Sequence, residues 1–468
     1  MSKRSTRRRR IPKPGSSSAA FPLVNPNAAG IDLGSRSHFV AVPEDRTEQP
    51  VRQFGCYTSA LQEMAAWLKQ CGVETIAMEA TGVYWVPVFE ILESHGFEVL
   101  LVDARQVKNL SGRKTDVVDA QWIRHLHSYG LLRAAFRPKA EICQMRSYWR
   151  QRSGLVESAS RQIQLMQKAL EQMNVQLHKA VSDITGKTGI SIIRAIVEGE
   201  RDPQTLARMR DRRMKASREE LAQALTGHYR EEHVFALTQA LEGYDFIHQQ
   251  IESCDHMLQA CMQRLPGKGP SRASTKKSRR KNQPYFDLAS EQVRMAGVDL
   301  TRIPGIDTLT VQTALTEVGV DVSSFPTEGQ FASWATLCPN NRKTGGKIRS
   351  RRTRRSSHRL ATALRLAAQT LSRSHSSLGV YYRRLRARLG PEKAITATAH
   401  KLARIIYRML KYGEEYVEQG LRTWDENTRQ HSLRRLTQLA RNLGYELLST
   451  ETGELIPTQN KGLPLHVS

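Results

Sequence analysis

The chain has 468 residues, enough for about two to four domains, and a formal net charge of +26. Hydrophobic residues make up 39% of it, which excludes a wholly disordered chain. The charge favours a polyanionic partner, since Lys and Arg contacts to phosphate dominate non-specific nucleic-acid affinity, although ribosomal and membrane-surface proteins can be equally basic. The six scattered cysteines form no C-x-x-C pair, so we expect reduced thiols in the cytoplasm and neither a disulfide framework nor a zinc site.

Residues 1–27 are predicted to form a basic flexible arm that either contacts phosphates or only improves solubility, because they lack the apolar stretch of a secretory signal. Residues 28–138 are predicted to form an α/β domain, because apolar strand-like runs alternate with amphipathic helix-like runs. The expected strands are 29–33, 38–42, 75–78 and 98–102, and the expected helices are 59–70, 86–94 and 116–128.

Residues 139–266 are predicted to form a helical coiled-coil region. Apolar residues follow heptad spacing from Val156 to Ile184, and a second series from Leu237 to Leu265 repeats every seven residues. Two such helices predict a coiled-coil hairpin or an oligomerisation arm; the alternative is an ordinary helix pair buried in its own domain. Shorter helices are expected between them, at 185–226.

The remaining chain is predicted to contain three segments. Residues 267–300 are rich in Lys, Arg, Ser, Gly and Pro and are predicted to form a basic linker. Residues 301–415 are predicted to form a mostly α-helical C-terminal domain with several basic helices. Residues 416–468 turn polar and are predicted to be an accessory tail. No apolar run reaches transmembrane length, so we expect no contact with a membrane.

Four carboxylates stand at positions where elements end or begin: Asp32, Glu79, Asp116 and Asp119. The i, i+3 spacing of Asp116 and Asp119 places both on one helix face. Carboxylate oxygens are the ligands that Mg²⁺ prefers, and two such ions about 4 Å apart can clamp a scissile phosphate. The alternatives are a turn role for Asp32, and helix capping by Asp116 with Asp119 favouring the helix dipole.

Three segments around these carboxylates, GIDLG (30–34), MEATG (78–82) and KTDVVDA (114–120), resemble the motifs of DEDD transposases of the IS110 insertion-sequence family, including its IS1111 relatives. The GGK segment at 345–347 and the basic helix after it also resemble this family. The resemblance implies a RuvC-like (RNase H-type) N-terminal domain and a C-terminal transposase domain. It also implies recombination with target DNA guided by an element-encoded bridge RNA, in homodimers or homotetramers joined through the coiled coil.

The resemblance further implies a serine nucleophile just before a glycine-containing turn, and here the chain departs from the family. Aligning Gly345, Gly346 and Lys347 places Thr344 at that position. A threonine hydroxyl can attack phosphorus if a base or metal activates it. Alternatively, a nearby serine is the nucleophile and Thr344 is a structural turn residue. The nearby serines are Ser350, Ser356 and Ser357.

The sequence therefore predicts a DNA transposase or recombinase of a bacterial insertion sequence, acting at the nucleoid with two Mg²⁺ ions. One rival is a RuvC-like Holliday-junction nuclease, which shares the carboxylates but forms no covalent protein–DNA adduct. The other is a non-catalytic architectural nucleic-acid-binding protein, whose function would not depend on Mg²⁺.

Overall fold

The computed structural model describes residues 22–80, 82–103, 107, 115–269, 281–354, 358–413, 430, 433–449, 453 and 455. The chain divides into two compact units, Met1–Arg137 and Pro138–Ser468. Within the described ranges, no helix combines the length and the apolar character needed to cross a membrane.

The first unit contains a five-stranded mixed sheet. Its elements in chain order are β1 (Ala28–Leu33), β2 (Ser37–Ala41), β3 (Val51–Gly55), α1 (Thr58–Gln70), β4 (Thr75–Glu79), α2 (Trp85–Ser94), β5 (Glu98–Val102) and α3 (Asp116–Ser128). The strand order is β3-β2-β1-β4-β5. The first three strands pair antiparallel, whereas β1, β4 and β5 run parallel. The predicted α/β unit is therefore present, with β3 as a strand that the sequence did not indicate.

Alternating residues of the strands build a core on each face of this sheet. Ile31 and Met78 are fully buried on one face, in a cluster with apolar residues of α1 and α2. On the other face, Ala77 and Val102 are buried against Ile123 of α3. The sheet is thus covered on both sides, as parallel strands require.

The second unit begins with two long helices and a group of short helices between them. These are α4 (Ala140–Gln172), α5 (Leu177–Ala180), α6 (Lys187–Val197), α7 (Pro203–Ala207), α8 (Arg218–Ala224) and α9 (Glu231–Arg264). The pair α4 and α9 is antiparallel, since Arg264 of α9 donates to Gln144 while Gly243 lies against Gln162. Residues 173–230, here called the helical cap, share a core with the ends of the two long helices.

One predicted helix boundary is wrong. The heptad pattern that starts at Val156 predicts a continuous helix to Ile184, but α4 ends at Gln172. Asn174 adopts a left-handed backbone with φ of 57°, a conformation that ends helices and that asparagine tolerates well. The apolar positions beyond it are buried in the helical cap instead.

A buried ion pair lies between the two long helices. The guanidinium of Arg152 on α4 contacts the carboxylate of Asp255 on α9, with side chains only 4% and 2% exposed. Arg152 Nη1 also donates to the Asn282 carbonyl (3.0 Å), and the Tyr285 backbone N–H donates to Asp255 (3.3 Å). The pair therefore fixes segment 282–285 against the helices.

The rest of the second unit is mostly helical. Its elements are α10 (Leu288–Ala296), a 3-10 turn (Leu300–Arg302), α11 (Thr308–Val318), α12 (Glu328–Trp334), β6 (Arg342–Thr344), β7 (Lys347–Ser350), α13 (Arg359–Thr370), a 3-10 turn (Leu371–Arg373), α14 (Ser377–Leu389) and α15 (Pro391–Tyr412). The predicted linker 267–300 contains α10, whose Leu288 and Met295 are buried with residues of α4 and α9. That part of the segment is folded structure, because its apolar residues complete a core.

Candidate active site

Two of the predicted carboxylates lie at the carboxyl ends of neighbouring parallel strands: Asp32 is the last residue but one of β1, and Glu79 is the last residue of β4. The register pairs Gly30 with Ala77 and Ile31 with Met78, so continuing it by one residue sets Asp32 beside Glu79. Neighbouring strands are about 4.8 Å apart, and residues paired across a ladder point to the same face. The side chains of Asp32 and Glu79, both half-buried, are thus adjacent at the carboxyl edge of the sheet.

A glycine brings α3 against this face. A Cβ on Gly30 would lie 2.2 Å from the backbone nitrogen of Arg124 and 2.5 Å from the Ala120 carbonyl oxygen, so only glycine allows so close an approach. At the other end of β1, the Asn25 backbone N–H donates to the Ser128 carbonyl (3.0 Å). The helix therefore runs antiparallel to β1, and its first turn points toward the strand end that carries Asp32.

That first turn carries Asp116 and Asp119, which are exposed and half-buried respectively. The N-cap is Thr115, whose hydroxyl accepts a hydrogen bond from the Val118 N–H (3.3 Å). The alternative in which Asp116 caps the helix is therefore wrong. Both carboxylates still interact favourably with the positive end of the helix dipole. Asp32, Glu79 and this acidic turn all lie toward one edge of the sheet.

The donor chemistry fits Mg²⁺, since all four groups are hard carboxylate oxygens. Within the described ranges, however, no group of three His, Cys, Asp or Glu side chains is arranged to hold a metal ion. Thr81 and segment 108–114, which flank the acidic motifs, lie outside the described residues. The structure thus brings Asp32 and Glu79 side by side without closing a full ligand set around them.

One further carboxylate, which is not among the predicted site residues, lies at this edge. Asp103 directly follows β5, and Val102, its predecessor, pairs with Glu79. Its side chain is exposed. The sequence contains a signal for Asp103, because an aspartate at the end of an apolar strand-like run is the same pattern that identified Asp32.

The second unit carries Thr344 on an exposed β-hairpin. Thr344 ends β6 and pairs with Lys347 of β7 across a two-residue turn. Gly345 and Gly346 have φ of 55° and 74°, the left-handed pair that a type I′ hairpin turn requires. Thr344 and Lys347 therefore lie on one face of the hairpin, both accessible to solvent.

The alternative serines differ in their surroundings. Ser350, at the end of β7, is half-buried, and its hydroxyl accepts a hydrogen bond from the Arg352 N–H (3.3 Å). Ser356 and Ser357 lie outside the described residues. Of the two candidate nucleophiles that the structure describes, Thr344 and Ser350, Thr344 is the more exposed.

Comparison with known proteins gives two family matches. Residues 29–175 match a DEDD transposase model of the IS110 type, described as a transposase, and residues 299–383 match the "Transposase IS116/IS110/IS902 family". The first range contains all four predicted carboxylates, and the second contains Thr344. Residues 176–298 lie outside both ranges.

A curated relative from Streptomyces coelicolor is named "Insertion element IS110 uncharacterized 43.6 kDa protein". It is 34% identical over 122 residues, which cover 25% of this chain and 29% of the relative. The match thus spans less than a third of the relative's length.

Proposed function

We propose that this chain, which belongs to the IS110 family of transposases, cuts and rejoins the DNA of an insertion element. The observation that carries the proposal is the arrangement at the sheet edge, where Asp32 and Glu79 lie near the ends of adjacent parallel strands and the first turn of α3, with Asp116 and Asp119, lies toward the same edge. The strand order, an antiparallel β-meander continued by two parallel strands, supports a RuvC-like, RNase H-type fold for the first unit.

The four carboxylates are the proposed ligands of two Mg²⁺ ions. When bound, the ions would supply activation of the attacking oxygen and neutralisation of charge on the leaving oxygen. Asp32 and Glu79 sit on rigid strands, so their relative position is fixed by the backbone. Two adjacent carboxylates repel each other, and a cation between them relieves that repulsion. Asp116 and Asp119, in the first turn of α3, are the other two proposed ligands.

Thr344 is the proposed nucleophile. Its Oγ1 attacks a backbone phosphorus, the threonine proton leaves, and the displaced DNA oxygen takes up a proton, so one phosphodiester bond replaces another. A hydroxyl of the incoming strand then reverses the exchange and releases the threonine. Lys347 lies on the same hairpin face, with cross-strand Cβ atoms about 5 Å apart, so its ammonium can hold the phosphate beside Thr344.

We further propose that an element-encoded bridge RNA selects the DNA partners, consistent with the charge of +26. The family resemblance also leads us to propose that α4 and α9 form a coiled coil that joins protomers in a homodimer or homotetramer. Ile142, Met145, Trp149 and Arg152 of α4 alternate at three and four residues, but they are buried within this chain, so they support the packing of α4 on α9 and not the contact between protomers. The proposed place of action is the nucleoid in the bacterial cytoplasm.

The test is to trap the covalent protein–DNA adduct. The full-length chain is incubated with element-end DNA, bridge RNA and Mg²⁺, denatured, and resolved on a gel, and the attached residue is mapped by mass spectrometry. We expect an adduct with the wild-type chain and with Thr344→Ser, and none with Thr344→Ala. Asp32→Asn should bind DNA with unchanged affinity but form no adduct.

Three outcomes would overturn parts of this proposal. An adduct that persists in Thr344→Ala and disappears in Ser350→Ala would move the nucleophile to Ser350. Hydrolysis without any adduct would favour a nuclease. Recombination that survives Asp32→Asn, or that needs no divalent ion, would remove the acidic residues from the mechanism.

A further inference from the structure

The helical cap lies in the part of the chain that neither family match covers, residues 176–298. Residues 208–218, with the sequence RMRDRRMKASR, connect α7 to the first residue of α8 and are here called the cationic loop. Six of these eleven residues are basic and one is acidic. The basic side chains of this loop repel one another, so either bound anions or a fixed backbone must hold them close together.

The backbone of the cationic loop is fixed from within. Arg210 is half-buried, and its guanidinium donates to the carbonyl oxygens of Met214 (2.7 Å) and Ala216 (2.5 Å). The Asp211 N–H donates to the Thr188 hydroxyl on α6 (3.2 Å), and Ser217 forms a capping box that starts α8. One arginine thus holds the loop, and the others are held outward by a rigid scaffold.

The remaining cations of the loop face water. Arg208, Arg212, Arg213, Lys215 and Arg218 are all exposed. Within the described residues, the only ion pair that the loop makes is the contact of Arg213 with Asp211 (3.4 Å). An exposed pair of this kind contributes little, so the loop presents a net positive surface.

A concave surface continues this positive region. A cavity of about 1390 Å³ lies beside the loop, and the cations that line it include Arg213 and Lys215 of the loop together with Lys179 and Lys187. The N-terminus of α6 opens here and, in the described structure, has no side-chain cap, so its first N–H groups add positive potential.

The acidic residues lining this cavity are already engaged. Asp183 binds Lys281 (2.6 Å) and Thr185, and Asp211 contacts Arg213. Glu220 accepts a hydrogen bond from the Ser217 N–H within the capping box (2.8 Å). The lining residues include no Phe, Tyr or Trp on which a base could stack.

We propose that the helical cap binds the sugar–phosphate backbone of a nucleic acid through the cationic loop and this cavity. The fixed loop, the cations around the cavity and the open helix N-terminus together recognise phosphate. Contacts to phosphate and sugar carry no sequence information, so we expect binding here to be independent of sequence. The inference rests on the nucleic-acid partner of the proposed function, and adds a binding surface outside both family-matched ranges.

The test measures binding by the full-length chain in Mg²⁺-free buffer with EDTA, so that no strand is cut. Fluorescence anisotropy records the affinity for a duplex DNA and for a duplex RNA of equal length, across a salt titration. The test variant combines Arg212→Gln, Arg213→Gln and Lys215→Gln. The matched control combines Arg434→Gln, Arg435→Gln and Arg441→Gln, which removes the same charge from exposed positions elsewhere.

For DNA, we expect the slope of log affinity against log salt to fall by about 2.7 in the test variant, because each phosphate contact contributes about 0.9. The affinity near 0.1 M salt should fall at least tenfold. A loss with DNA, with RNA or with both supports the proposal and identifies the source of the phosphates. The conservative variant Arg212→Lys, Arg213→Lys should keep both slope and affinity, because the positive charge is retained at both positions.

The proposal is overturned if neither nucleic acid loses affinity, or if the control loses as much as the test variant. It is also overturned if the lysine variant loses as much as the glutamine variant. Adduct formation at saturating DNA separates this inference from the proposed function. A test variant that binds weakly but still forms the adduct at saturation leaves the chemistry intact, whereas an adduct missing from the wild-type chain with normal binding refutes only the chemistry.

Discussion

Replacing Gly30 by alanine tests whether the close contact of α3 with β1 positions the acidic residues. The added Cβ would lie 2.2 Å from the Arg124 backbone nitrogen and 2.5 Å from the Ala120 carbonyl oxygen, whereas ordinary contacts begin near 3.5 Å. The atoms in the way belong to a helix backbone, so no side chain can rotate aside. The helix, with Asp116 and Asp119 on its first turn, must move by about 1 Å.

The size of the effect follows from that displacement. Overpacking a rigid interior costs about 1–3 kcal/mol, and the removal of a glycine from a strand returns about 0.5–1 kcal/mol. We therefore expect Gly30→Ala to lower the free energy of unfolding by about 1 kcal/mol. A displacement of about 1 Å at a catalytic group costs about 100-fold in rate, so adduct formation should slow by about that factor while DNA affinity is kept.

The assays are urea denaturation and the rate of adduct formation at saturating DNA. The control is Gly55→Ala in the same sheet, where the new Cβ would meet only the Ala60 methyl at 3.5 Å. Gly55→Ala should leave both quantities near wild type. If Gly30→Ala has the unfolding midpoint and the adduct rate of the wild-type chain, the helix is not held by this contact and the reasoning fails.

Two further predictions concern buried polar groups. His38 is 2% exposed, and its Nδ1 has no hydrogen-bond partner among the described residues. Burial lowers the pKa of its imidazole in the folded chain. As the pH falls below about 6.5, the unfolded chain therefore binds a proton at this residue before the folded chain does. His38→Leu should therefore be more stable than wild type by a margin that grows between pH 7 and pH 5 in urea denaturation; a constant margin would contradict this. Asp255→Ala leaves Arg152 buried without its carboxylate and should cost about 3–5 kcal/mol of unfolding free energy, whereas Arg152→Met with Asp255→Leu should recover most of it. Equal losses in the single and double variants would show that the ion pair does not determine the cost.

The sequence predicted the elements whose pattern is local. Strands β1, β2, β4 and β5 are apolar enough to be recognised, and the placement of Asp32 and Glu79 at strand ends follows directly from them. The turn at Gly345 and Gly346 was also predicted, whereas the two short strands that it joins, β6 and β7, were not.

The sequence could not predict features that depend on distant contacts. Strand β3 has the sequence VRQFG, in which only Phe54 is buried, so its strand state comes from pairing with β2. Helix α10 lies in a segment rich in charged and small residues, and it is held by burial of Leu288 and Met295. Heptad spacing could not show that Asn174 ends α4, because the apolar period continues across the break.

The same distinction separates the two functional surfaces that we propose for this chain. At the acidic edge, backbone geometry does the positioning: strand register fixes Asp32 beside Glu79, and the missing Cβ of Gly30 admits α3. Because these requirements restrict the residue types at neighbouring positions, they produce short sequence motifs that can be recognised without a structure. In the helical cap, the backbone is held by the side chain of Arg210, and the surface consists of cations that follow no period. In the sequence, a surface of this kind appears only as a local excess of basic residues. The structure is needed to show that Arg210 fixes the loop while the other cations face solvent.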